Sequence, residues 1–177
     1  KLIGSAITLS LIVGVIITII GLIFLNPILN IFGASENTID YAVSYMKIYS
    51  IGTIFVQLTL GLNAFISAQG FAKVSMMTVL IGAVCNIILD PILIFGFNMG
   101  VSGAALATIL SQSLSMIWII IFLTGKKTTL KIKRKNLILS KSIVLPSIAL
   151  GLAPFIMQST ESIIAVCFNS SLLRYGG

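Results

Sequence analysis

Two acids stand inside apolar runs of this chain, and their neighbours decide what chemistry they could do. The sharper case is NIILDPILIF, residues 86–95, where Asp90 is followed directly by Pro91. Asn86 precedes Asp90 by four residues, so on a helix an amide and a carboxylate share one face. Oxygen donors of this kind suit a hard cation, and the same carboxylate could instead carry a proton. The second acid is Glu161, in MQSTESII, with Ser159 and Ser162 beside it. The remaining catalytic repertoire is thin. The chain has no His, and Cys85 and Cys167 lack a CxxC spacing. A zinc site and a His-based triad are therefore excluded, and no catalytic residue is assigned. Both cysteines lie in apolar surroundings, which suits packing better than redox chemistry.

The elements that must position these acids follow from composition. Charged residues are 8% of the chain and apolar residues 58%, against roughly 25% charged in a soluble domain. There is too little charge to coat a water-facing surface. Uncharged runs cover 2–35, 48–72, 91–125 and 142–160, and about 20 apolar residues span a bilayer. The chain reads as an all-α polytopic membrane protein. A β-barrel would need alternating segments of about ten residues, and none is seen.

Turn and charge signals give five helical spans, at about 4–32, 39–68, 74–97, 104–123 and 139–168. Asn26-Pro27 disturbs the end of the first. GASENTID connects the first two, with Ser35 or Asn37 as the expected cap. QGFAK and NMGVSG are the next turns. Seven of the eleven basic residues fall between Lys126 and Lys141. That cluster lacks the interleaved aromatics used for stacking bases, so a nucleic-acid partner is not implied. Together with Lys1 and Lys73 it defines the cytoplasmic side by the positive-inside rule. Glu36, Asp40 and Arg174 fall opposite, and Lys47, about two turns into the second span, reaches outward along its stem. Lys1 is not an initiator Met, no signal-peptide cleavage pattern follows, and SSLLRYGG ends without a finishing element. A piece of a longer protein is expected.

Asp-Pro is a good helix start, with Asp as cap and Pro at the first position. Length opposes that placement. A helix from Pro91 to Gly125 would hold 35 residues, about 52 Å, against a hydrocarbon core of about 30 Å. With the turn near Met99, Asp90 lies about 13 Å below it, close to mid-bilayer, where a carboxylate costs on the order of 2.5–3.5 kcal/mol. Pro91 then predicts a kink. The next span runs back antiparallel, which places Thr108 level with Asp90, Gln112 level with Asn86, and Ala104 one turn above Thr108. A carboxylate, an amide, a hydroxyl and a backbone carbonyl converge there. The alternative is helix-to-helix glue, for which an uncharged amide would serve. Gln112, a candidate for the cavity wall, suits interhelical bonding better than substrate binding, as do Gln57, Gln69 and Gln158.

NIILDPILIFGFNMGVSGAALATILSQ closely resembles the fifth and sixth helices of the multidrug and toxic compound extrusion (MATE) family. FGASENTIDYAVSYMKIYSIG and LNAFISAQGFAK resemble its third-to-fourth connection and fourth helix, and GLAPFIMQSTESIIAVCFNSSLLRYGG the start of its second half. The resemblance implies a bacterial-type antiporter of twelve helices in two lobes, of which this chain supplies helices three to seven. Residues 1–125 would be most of the first lobe, 126–138 the cytoplasmic inter-lobe loop, and 139–177 the first helix of the second lobe. It implies export of lipophilic or cationic compounds across the plasma membrane in exchange for Na⁺ or H⁺, with no cofactor besides that ion. Its partners would be small organic substrates, the lipid bilayer and the remaining helices of the same full-length chain. The family's first-lobe cation site maps onto Asn86, Asp90, Ala104 and Thr108, and a cavity asparagine onto Asn63. Leu60 stands where some members have a second asparagine, and the first-helix acid lies outside this chain. Glu161 resembles a seventh-helix glutamate found in a subset of members.

Other classes fit less well. A lipid-linked oligosaccharide flippase of related architecture would need a strongly cationic cavity. An intramembrane aspartyl protease would use two buried acids in a GxGD-type context, which LDP does not match. A purely structural membrane subunit leaves Asp90 unexplained.

Overall fold

The first apolar run folds as two helices, α1 (Leu2–Ile23) and α2 (Leu25–Ile31), with the break at Phe24. The break lies just before Pro27, whose ring crowds the carbonyl four residues back and whose nitrogen cannot donate to it. The computed structural model describes residues 2–125, 128 and 141–175. The remaining elements are α3 (Ile39–Ala68), α4 (Ala72–Pro91), a π-helical segment at Ile92–Gly96, α5 (Gly100–Thr124) and α6 (Lys141–Tyr175). Among the described residues, five helices are long and apolar enough to cross a membrane, and none forms a strand.

Three boundaries differ from the sequence reading. Neither Ser35 nor Asn37 caps α3. Thr38 holds that position without a side-chain capping bond, and its hydroxyl instead accepts from the Ser35 amide at 3.0 Å. NMGVSG is a turn only over its first half, since α5 begins at Gly100. Asn98 (φ 52°) and Gly100 (φ 55°) take the left-handed backbone that reverses the chain, a conformation Asn and Gly tolerate best. The last helix runs to Tyr175, beyond the expected end near 168, because nothing in SSLLRY breaks it. The basic stretch 126–138, apart from Thr128, lies outside the described residues. The Thr128 hydroxyl donates to Gln69 Oε1 at 2.8 Å, beside the α3–α4 turn.

α5 lies between α3 and α4, α1 flanks α3, and α6 packs against α1. Small residues set the spacing, as membrane helices require when no hydrophobic force drives their association. A Cβ on Gly103 would sit 2.9 Å from the Leu93 carbonyl carbon and oxygen. Ile3, Leu62, Ile66, Ile119 and Leu123 form an apolar cluster at the end of the bundle near Gly70. There Phe71 and Phe122 meet edge to face with centroids 5.1 Å apart.

Candidate functional site

The site is assembled in the interface of α3, α4 and α5, and its most acidic part comes from α4. Asn86 Nδ2 donates to Asp90 Oδ1 at 3.3 Å, one helical turn away. Directly after Asp90 the helix changes form. Pro91 cannot donate to the carbonyl of Ile87, and the following turn widens to π geometry over Ile92–Gly96. Phe97 N bonds to the Ile92 carbonyl at 3.0 Å and Met99 N to the Leu93 carbonyl at 3.1 Å. The predicted kink is therefore a widened turn, a form found mostly at functional sites. Gly103 lets α5 close against this segment, which brings Ala104 and Thr108 toward α4. The Thr108 hydroxyl donates to the Ala104 carbonyl at 3.0 Å. The hydroxyl and carbonyl foreseen as ligands are thus bonded to each other along one helix.

A cavity of about 270 Å³ opens between the three helices, and Asn63, Asn86, Thr108 and Gln112 all line it. Asp90 and Ala104 are not among its lining residues and connect to it through Asn86 and Thr108. Thr59, Thr78, Ser111 and Ser115 complete the polar wall. The sequence reading did not single out these four. The α5 spacing 108–111–112–115 carries the signal, since those positions share a helical face. Two of them bond across helices: Thr59 Oγ1 donates to the Gln112 carbonyl at 3.2 Å, and Ser115 Oγ to the Thr78 carbonyl at 3.0 Å. Leu60 and Val79, both exposed, border the open side.

Asn63 Nδ2 donates to the Ser75 carbonyl at 3.4 Å. Its Oδ1, although buried, has no hydrogen-bond partner among the described residues. Among those residues no three His, Cys, Asp or Glu side chains cluster. The donors on offer are amide, hydroxyl and carbonyl oxygens beside one carboxylate, a set for a hard cation or a proton rather than a transition metal.

Glu161 lies apart from this cavity, on an exposed face of α6. Its partner is Gln158, whose Nε2 donates to Glu161 Oε2 at 2.7 Å, while Ser162 turns to the Gln158 backbone carbonyl at 3.1 Å. Cys85 is half-buried and Cys167 exposed, both unbridged. The packing role expected for Cys167 is therefore not realised against any described helix.

The MatE family model matches residues 1–92. The chain is 36% identical over 167 residues to the multidrug export protein MepA of Staphylococcus haemolyticus, covering 94% of this chain and 37% of that protein. It therefore spans less than two-fifths of that relative. Among solved structures, the drug-bound MATE multidrug transporter DinF-BH superposes with a TM-score of 0.91 at 36% identity, over 98% of this chain and 39% of that one. An inward-facing multidrug resistance MATE family transporter of the MOP superfamily gives a TM-score of 0.83 at 30% identity, over 90% of this chain and 37% of its own.

Proposed function

The chain belongs to the MatE family, and from that premise we propose that it is part of an antiporter that exports lipophilic or cationic compounds, driven by Na⁺ or H⁺. The carrying observation is the Asn86–Asp90 pair, held at 3.3 Å beside a polar cavity between helices that are otherwise apolar. A charge in that setting is retained at a cost that interhelical glue does not require.

In this reading Asp90, Asn86, Thr108 and the Ala104 carbonyl bind the ion, and Asn63 and Gln112 face the cavity. The ion drives transport only by binding one conformation better than the other. The widened turn after Pro91 is the element best suited to respond, because it carries Asp90 at one end and the α4–α5 turn at the other. Residues 1–125 would form most of a first lobe, 126–138 a cytoplasmic linker, and 139–177 the start of a second lobe in a twelve-helix plasma-membrane protein. The exposed face of α6 leaves Glu161 free to serve a second-lobe cavity. No step of this reading is catalytic. A flippase for lipid-linked oligosaccharides would call for cationic walls, whereas the cavity lining contains neither Lys nor Arg.

The test uses the full-length protein in proteoliposomes, with drug efflux measured under an imposed Na⁺ gradient and then an imposed H⁺ gradient. Asp90→Asn should insert normally and lose ion-driven efflux. Normal ion-driven efflux by that variant would overturn the assignment.

A further inference from the structure

Polar groups continue along the α3–α4–α5 interface well past the Asn86–Asp90 pair. Toward the Gly70 turn, the next layer holds Thr59 bonded to the Gln112 carbonyl and Ser115 bonded to the Thr78 carbonyl. One turn further, Asn63 bonds to the Ser75 carbonyl. Ser67 Oγ then donates to Ser75 Oγ at 2.7 Å, and Ser67 is exposed. A row of polar side chains therefore links the acid to the end of the bundle at the α3–α4 turn.

Two atoms in this row are buried and without a partner among the described residues: Asn63 Oδ1, an acceptor, and Trp118 Nε1, a donor. They belong to one layer. Ser75, which Asn63 bonds, lies one turn before Thr78 on α4. Trp118 lies one turn after Ser115 on the antiparallel α5, and Ser115 bonds Thr78. An orphaned buried polar group costs about 1–3 kcal/mol, and a seam built only as glue would have paired these two. A neighbouring acceptor and donor are what a buried water requires. The adjoining cavity, about 270 Å³ with eight polar residues in its wall, is too polar to remain dry.

We propose that this seam is hydrated and conducts the coupling cation between Asp90 and the membrane surface at the α3–α4 turn, within a single helix bundle. The proposal rests on the cation-coupled reading above. The seam's oxygens come from hydroxyls, amides and carbonyls and carry no fixed charge. That lets a cation be held weakly at several successive points, as conduction demands. Water bridging the orphaned atoms would complete the chain, for Na⁺ as replacement ligands and for H⁺ as carriers.

The test labels single cysteines in the full-length protein with its native cysteines replaced. Ser115→Cys should react with a small cationic methanethiosulfonate, applied from the α3–α4-turn side, about tenfold or more faster than Ile119→Cys, since reaction needs both access and a thiolate. Ile119 is equally buried, one turn away, in the apolar cluster. Thr78→Cys, on the facing helix, gives the same reading if Ser115→Cys does not insert. Equal protection of the seam and cluster positions means a dry seam and overturns the proposal. The label should also abolish ion-driven efflux relative to the same variant before labelling, while binding of a fluorescent lipophilic cation persists. Labelling that leaves ion-driven efflux intact overturns conduction by this route. Asp90→Asn separates the two readings: retained ion-driven efflux there defeats the cation assignment itself, whereas seam labelling reports hydration independently.

Discussion

Asn86 lines the cavity and Asp90 does not, yet the two are joined by a 3.3 Å hydrogen bond across one turn of α4. The amide thus stands between the carboxylate and the space from which an ion would arrive. It fixes one carboxylate oxygen and leaves its own carbonyl oxygen to face the cavity.

Asn86→Leu tests that arrangement. It keeps the volume, removes both amide functions and should leave insertion unchanged. A hydrogen bond to a charged group contributes about 1.5–3 kcal/mol, so a Na⁺-driven protein should need about tenfold or more Na⁺ for half-maximal efflux. A Na⁺ titration of drug efflux in proteoliposomes measures it. An unchanged half-saturation would remove Asn86 from the ligand set.

Gly103→Ala tests how closely α5 must approach the widened turn. The added methyl would lie 2.9 Å from the Leu93 carbonyl carbon and oxygen, backbone atoms that cannot swing aside. Overpacking of this kind costs about 1–3 kcal/mol, which should appear as a clear fall in the midpoint of thermal unfolding in detergent. Gly96→Ala is the control, because a Cβ there meets nothing within 4 Å. Equal midpoints for the two variants would show that the helices can separate freely.

Leu123→Ala tests the apolar cluster beyond the polar seam. Leu123 is 0% exposed and packs with Leu62, Ile66 and Ile119. Its truncation should cost about 2–5 kcal/mol and lower the same thermal midpoint, without altering the Na⁺ or H⁺ dependence of the efflux that remains. A shift in ion dependence would mean that this cluster takes part in coupling.

Much of this site was legible from residue type and spacing, and the illegible part has physical causes. The bounds of α3 followed from polar turns on both sides, and the depth of Asp90 from helix length. The form of the break after Pro91 did not, since a missing N–H permits a kink or a π turn equally, and the Gly103 contact with Leu93 selects between them. Glu161 shows the limit of depth arguments. Counting along a helix gives height, whereas the direction a side chain faces depends on which helices surround it. Thr59 and Ser115 were passed over because hydroxyls in apolar helices commonly bond back to their own helix. Ser111 does so, to the Ala107 carbonyl at 2.7 Å, while Thr59 and Ser115 reach across to a neighbour. Sequence spacing cannot tell these two habits apart.

Thr108 offers the last and most discriminating substitution, because its hydroxyl bonds within its own helix, to the Ala104 carbonyl at 3.0 Å. If that bond were its whole purpose, Thr108→Val would preserve shape and cost little, since back-bonding hydroxyls contribute little to helix stability. If the hydroxyl and the released carbonyl are ion ligands, Thr108→Val should weaken ion-driven efflux strongly while leaving the thermal midpoint nearly unchanged. Thr108→Ser, which keeps the oxygen, should recover most of the efflux. The comparison needs one efflux assay and one melting curve for each variant. Efflux lost together with stability, or not recovered by Ser, would assign Thr108 to packing alone and leave the ion to Asp90 and Asn86.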